Sequence, residues 1–193
     1  KITVTANGYL PKSIDISPSR RRPLRITLEK GGQGHIEGIV THQGIPINSG
    51  QSRVSIIYNG ISIKSVETDK EGRYSFHGIP DQPVTLKAAL FPEDGKSVYL
   101  SRTVVTEPGQ TLYQDISFDV DDNAHIEGIV LYGNQAPKAA LVFATVVLPD
   151  GDELLYIAEA HGDGIYSISH IPVGTYEIGP RWIQLPDGSY LEP

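Results

Sequence analysis

The hexapeptide His35-Ile36-Glu37-Gly38-Ile39-Val40 occurs a second time as His125-Ile126-Glu127-Gly128-Ile129-Val130, an offset of 90 residues. Two further matches follow in the same order. Gly72-Arg73-Tyr74-Ser75-Phe76 is answered by Gly164-Ile165-Tyr166-Ser167-Ile168, and Ile79-Pro80 by Ile171-Pro172, both at an offset of 92. Self-similarity in one order at a nearly constant offset means one structural unit used more than once. The 193-residue chain therefore holds a unit of about 90 residues at least twice, and each unit is small enough to be marginal on its own.

Composition says what the unit is made of. Ile, Val and Thr number 47 against 24 for Ala plus Leu, a balance that favours strands over helices. Ser52 to Ile57 and Leu141 to Leu148 read as strands, and Asn59-Gly60, Asp94-Gly95, Asp150-Gly151 and Asp187-Gly188 are turn dipeptides, because glycine tolerates positive φ. No window sustains a helical period. Short strands with frequent turns predict an all-β fold of tandem antiparallel β-sandwiches. The units are expected at 34–119 and 124–193, with a short polar boundary near Asp119 to Asn123. So brief a linker predicts a stiff, rod-like tandem.

Several classes are excluded at this level. The net charge is −7 and the pI about 5.3, and the one basic run is Arg20-Arg21-Arg22. A duplex-binding surface needs a basic face, so nucleic acid is not a partner. The run, next to Pro23, reads as a solvated hairpin turn that can seat against an acidic stretch such as Asp150 to Glu153. No run approaches the 18 apolar residues of a membrane span, so this segment is not expected to insert in a membrane. Cysteine is absent, which removes disulfides, thiolate chemistry and cysteine zinc sites. Methionine is absent too, and the chain opens in strand pattern at Lys1-Ile2-Thr3-Val4. It is expected to be a processed product, an excised fragment or part of something longer.

Each unit opens with a Gly-Ile-Val strand and carries a proline-containing turn, Gly44-Ile45-Pro46 and Gln135-Ala136-Pro137. Thr68-Asp69-Lys70-Glu71-Gly72-Arg73-Tyr74-Ser75-Phe76 follows, then Ile79-Pro80 and a further strand. This order resembles the carboxypeptidase-regulatory-like repeats, which have a transthyretin-like (prealbumin-like), Ig-like sandwich. The second unit departs at the acidic turn, where His161 matches Asp69 and Asp163 directly precedes Gly164. The resemblance implies stalks, adhesin segments, polysaccharide-binding accessories or fibre subunits, all extracellular or at the cell surface. Pilin modules with self-forming Lys–Asn isopeptide bonds match less well, since neither Gly-Ile-Val strand holds a lysine and no Glu-Thr-x-Ala-Pro segment occurs.

The ends of the repeat pattern do not close. The last unit has no counterpart of Arg102 to Asp119, while residues 11–30 carry the two strand patterns it lacks, Ile14-x-Ile16 and Leu24-x-Ile26-x-Leu28. Residues 1–30 thus read as the terminal strands of a preceding sandwich or of a neighbouring subunit. In the first case the chain is a slice of a longer array. In the second it donates strands to the unfinished unit of another copy, which propagates head to tail. Five to seven apolar side chains on such strands bury about 10 kcal/mol gross, comparable to the net stability of a small domain. Ile14, Ile16, Leu24, Ile26 and Leu28 are the donation candidates.

Other constellations are less specific. His35 with Glu37 and His125 with Glu127 place an imidazole and a carboxylate on one strand face, which can help hold a metal, but recurrence in both units favours an outward polar face beside inward Ile36 and Ile126. Asp119, Asp121 and Asp122 are oxygen ligands at a domain junction, the kind calcium uses, but lack a recognised loop spacing. His161, Asp163, Ser167, Ser169 and His170 lack a Gly-x-Ser-x-Gly elbow, so no catalytic residue is assigned, no enzyme activity is expected and no cofactor is implied. Tyr176, Trp182 and Tyr190 suit a stacking platform for a polysaccharide, or a core position for the tryptophan. The sequence thus reads as a non-enzymatic extracellular structural repeat, a fibre- or pilus-like subunit partnered by other copies of itself or by adjacent repeats. The alternatives are a carbohydrate-binding or adhesive module and a stalk segment of a longer surface protein.

Overall fold

The computed structural model describes residues 1–6, 8–16, 23–91, 97–119 and 124–192. Every regular element among them is a β-strand. The first are β1 (Ile2–Val4) and β2 (Lys12–Ile14), then β3 (Gly34–His42), β4 (Ile45–Pro46), β5 (Ser52–Tyr58), β6 (Ile61–Glu67), β7 (Arg73–Ile79), β8 (Val84–Leu90), β9 (Val98–Val104), β10 (Thr111–Tyr113) and β11 (Ile116–Ser117). The second repeat supplies β12 (Ala124–Ile129), β13 (Ala139–Val147), β14 (Glu153–Ala160), β15 (Ile165–Ile171), β16 (Glu177–Gln184) and β17 (Tyr190–Leu191).

Alternation makes these strands. In β5 the residues Ser52, Val54, Ile56 and Tyr58 are buried, and in β13 Ala140, Val142, Ala144 and Val146 are, while the residues between them face outward, as the two-residue side-chain period requires. Each repeat folds the same way. β3 pairs antiparallel with β7 over Gly34–Ile39, and β12 pairs with β15 over Ala124–Ile129, each with a register shift after its first residue. The glycine that anchors the repeated Gly-x-Tyr motif explains its recurrence. Gly72 and Gly164 have φ of 73° and 75°, a region glycine enters freely, and their carbonyls accept 2.8 Å bonds from the Val40 and Val130 N–H groups. Asp69 accepts from the N–H groups of Glu71 and Arg73, and Asp163 takes the same part by accepting from that of Ile165. The departure of the second unit at its acidic turn therefore keeps the turn.

The two repeats are not joined end to end as the linker suggested. They share one eight-stranded sheet in the order β17-β16-β13-β14-β9-β8-β5-β6, because β9 of the first repeat pairs antiparallel with β14 of the second over Val98–Ser101 and Glu153–Tyr156. One apolar cluster runs through both, from Ile36, Val54 and Leu86 to Leu154, Tyr156 and Ile168. The edges of two small sheets are thereby closed against each other, which removes unpaired N–H and C=O groups that an edge strand otherwise exposes. Among the described residues no helix is long and apolar enough to cross a membrane.

Residues 1–30 stand apart. β1 and β2 form a two-stranded antiparallel sheet with Ile2 opposite Ile14, and among the described residues of this segment only Leu10 is buried in the main core. Leu24, Ile26 and Leu28 are half-buried and alternate with exposed Arg25, Thr27 and Glu29. The alternation expected there is present, but the strand is not, since among the described residues no neighbour supplies a ladder beyond the Tyr9–Lys30 bridge.

Candidate functional site

The two copies of the repeated hexapeptide have different surroundings. On the side of β3 away from β7, β10 and β11 pair with it in parallel, Leu112 opposite Ile36 and Ile116 opposite Val40. The Gln114 N–H donates to the Glu37 carbonyl at 2.8 Å, the Ile39 N–H to Asp115 Oδ1 at 2.9 Å, and the Phe118 N–H to the Thr41 carbonyl at 3.0 Å. Ile116 and Phe118 are buried. The Tyr74 hydroxyl donates to the Gln114 carbonyl, and its pKa is raised by burial and by nearby Asp115. The carbonyl of Gln114 lies so close to Gly38 that a Cβ there would overlap it.

On β12 the corresponding side has no strand among the described residues. Ile126 is half-buried where Ile36 is fully buried, and Ile129 and Leu131 are 56% and 50% exposed. Tyr166, the counterpart of Tyr74, has swung over Gly128, so that a Cβ there would come within 2.5 Å of its hydroxyl. The side chain fills the place that a strand carbonyl fills in the first repeat.

The junction between the repeats holds a charged pair that sequence reasoning did not find. Arg102 of β9 donates from Nε to Asp152 Oδ1 at 2.6 Å and from its second nitrogen to Oδ2, with Asp150 3.7 Å away. Asp152 is 3% exposed. The bond to Asp152 raises the Arg102 pKa against the opposing effect of burial. The acidic stretch at Asp150 thus meets an arginine of its own chain, whereas the expected Arg20–Arg22 run lies outside the described residues. A signal was present: Arg102 sits between the inward Leu100 and Val104, and a charge in an inward register position demands a partner.

Of the three aromatic candidates two come together. Trp182 and Tyr190 have ring centroids 5.2 Å apart, tilted by 34°, and Gln184 Nε2 donates to the Tyr190 hydroxyl at 3.0 Å. Beside them an open groove of about 460 Å³ is lined by Ala139, Ala140, Leu141, Glu159 and Trp182. Tyr176 lies elsewhere. Its hydroxyl donates to the Pro172 carbonyl, its ring sits 6.4 Å from Tyr156, and burial raises its pKa.

The remaining candidates have structural partners. Asp119 accepts from the Gln43 and Gly44 N–H groups, and its pKa is lowered by a bond to Ser117 and then by those two amides. Its oxygens cap a hairpin turn, while Asp121 and Asp122 lie outside the described residues. His35 Nδ1 lies 2.6 Å from His77 Nδ1, and Ser75 Oγ is 3.4 Å from Glu37 Oε1. His161 is 3.7 Å from Glu159. Among the described residues no group of three His, Cys, Asp or Glu is placed to hold a metal. Of the donation candidates Ile14 lies in β2, Ile16 is 40% exposed, and Leu24, Ile26 and Leu28 are half-buried outside any strand.

No protein-family model matches the chain, and no curated protein matches it. Among solved structures it is similar to a streptococcal ancillary pilin, at 12% identity and a TM-score of 0.36 over 99% of this chain and 69% of that one. It is also similar to the tetra-tandem repeat in the extending region of a large adhesion protein, at 14% identity and 0.26 over 82% of this chain and 47% of that one. A DUF3823 family protein from Bacteroides ovatus matches at 14% identity and 0.34, over 81% and 83%. These likenesses are too distant to transfer a function.

Proposed function

We propose that this chain is a non-enzymatic structural repeat module of an extracellular or cell-surface assembly, of the carboxypeptidase-regulatory-like sandwich type, extended head to tail by strand donation. One observation carries the reading: β3 has its second edge covered by β10 and β11, whereas the same hexapeptide in β12 has no strand there among the described residues. An open edge flanked by exposed Ile129 and Leu131 is a template for strand addition. Residues 1–30 bring the donor patterns. Deleting them is expected to leave a monomer with a less stable second repeat, and the excised peptide to restore that stability. A deleted protein that is as stable as the full chain and indifferent to the peptide sinks the reading.

A second reading is favoured by the Trp182–Tyr190 pair beside its groove. Aromatic faces stack on sugar rings, and Glu159 and Gln184 supply polar groups there. On this reading Trp182→Ala abolishes retention in polysaccharide affinity electrophoresis without lowering the melting temperature. Loss of stability with no change in retention assigns Trp182 to packing alone.

A further inference from the structure

The first repeat contains a template for whatever completes the second. From it we propose that the β12 edge accepts residues 24–29 of a second copy of this chain, parallel to β12, in a register set by Gly128 and Tyr166. This rests on the strand-donation reading and adds the acceptor edge, the direction and the register. The hexapeptides are related by an offset of 90, and the same offset carries Gln114-Asp115-Ile116-Ser117-Phe118-Asp119 onto Leu24-Arg25-Ile26-Thr27-Leu28-Glu29. Ile116 and Phe118, buried beside β3, correspond to Ile26 and Leu28. Asp119, whose carboxylate caps the Gln43–Gly44 turn, corresponds to Glu29 and so falls opposite Gly133 and Asn134. Among the described residues of their own chain, the Thr27 carbonyl accepts from Lys12 Nζ at 3.3 Å and the Glu29 carbonyl from the Leu10 N–H at 2.7 Å.

The register follows from the carbonyl over the glycine. In the first repeat the Gln114 carbonyl packs on Gly38 and accepts the Tyr74 hydroxyl. Only a residue without Cβ admits a backbone so near. In the second repeat Gly128 keeps that space and Tyr166 lies over it. An incoming strand that puts the Leu24 carbonyl over Gly128 displaces the Tyr166 ring outward and receives its hydroxyl bond. The Leu24 N–H then meets the Glu127 carbonyl, and the Leu28 N–H that of Leu131, as Gln114 and Phe118 do with Glu37 and Thr41.

The test uses the protein lacking residues 1–30 and, separately, the full chain. A synthetic peptide of residues 23–30 is added in excess and amide hydrogen exchange is followed. Protection is expected at residues 125–131, with Tyr166→Phe weakening binding about fivefold, the worth of one hydrogen bond, at unchanged melting temperature without peptide. A peptide N-methylated at Leu28 is expected to lose binding and one N-methylated at Thr27 to keep it, because the Thr27 N–H faces away from β12. Because these changes lie in the peptide, they leave the folding of the protein untouched. Stabilisation with protection elsewhere than 125–131, or equal binding of both methylated peptides, overturns the inference while leaving strand donation standing. Protection given by a peptide of residues 111–119 but not by residues 23–30 overturns the assigned occupant. No effect of any peptide, with a full chain that sediments as a monomer, removes both readings.

Discussion

Two carboxylates show how burial decides what a charge does here. Asp152 is almost fully enclosed and bonded twice by Arg102, so its role is structural. Replacing it by alanine strands a guanidinium between two sheets, and Asp152→Ala is expected to cost about 1.5–3 kcal/mol, the worth of a hydrogen bond to a charged group, measured by urea denaturation. Asp119 is the opposite case, near the surface and held by a hydroxyl and two amides. Its pKa is lowered from the ordinary 3.8, so its contribution to stability is complete above that value and is lost as pH falls through the lower folded value. The amide resonances of Gln43 and Gly44 are expected to titrate with a midpoint below 3.8, and Asp119→Asn to abolish that titration. A midpoint at or above the ordinary value would mean that the carboxylate does not cap the turn.

At the scale of the strand, the two glycines of the repeated hexapeptide report whether an edge is occupied. A Cβ on Gly38 meets the backbone of Gln114, which cannot yield without lifting β10 and β11 from β3. The nearest atoms to a Cβ on Gly128 all belong to the end of the Tyr166 ring, which can rotate away. Gly38→Ala is therefore expected to destabilise by about 1–3 kcal/mol, as overpacking does, and Gly128→Ala by clearly less in the unassembled chain; equal losses in thermal melts would argue that β12 is covered in solution. The strands themselves were legible in the sequence, since alternation in β5, β13 and β14 and the glycine turns between them are local signals. The repeat also marked where the two units differ, because the unmatched stretch 102–119 contains β10 and β11. What the sequence could not show is the pairing of β9 with β14. Both have an outward and an inward face like any half-buried strand, and nothing local says which free edge meets which. Tyr176 and Trp182 illustrate the same limit: both are aromatic residues near the chain end, yet one packs beside Tyr156 and the other beside Tyr190, since Tyr176 precedes β16 in a loop while Trp182 lies within it, beside the register shift at Leu141.

For the molecule as a whole, that shared sheet decides how it unfolds. Two sandwiches linked only by a short polar connector would melt independently, each with its own marginal core. Here Leu100 and Leu154 face each other across β9 and β14 and are both buried, and the core cluster includes residues of both repeats. Opening either repeat exposes the edge of the other, so the cost of separating them falls on both. A single calorimetric transition is expected, with van't Hoff and calorimetric enthalpies in agreement. Leu154→Ala, a large-to-small change in a closed core, is expected to cost about 2–5 kcal/mol and to lower the melting of both repeats together. Trp182 fluorescence reads the second repeat, and hydrogen exchange at β3 and β5 reads the first. Two separated transitions in the parent protein, or a Leu154→Ala variant in which β5 keeps its protection while Trp182 melts early, would show that the repeats fold alone. If they melt as one, any strand added at β12 stabilises β5 as well, some way across the sheet. Under the proposed strand donation, a strand given by one copy would then stabilise both repeats of the copy that receives it.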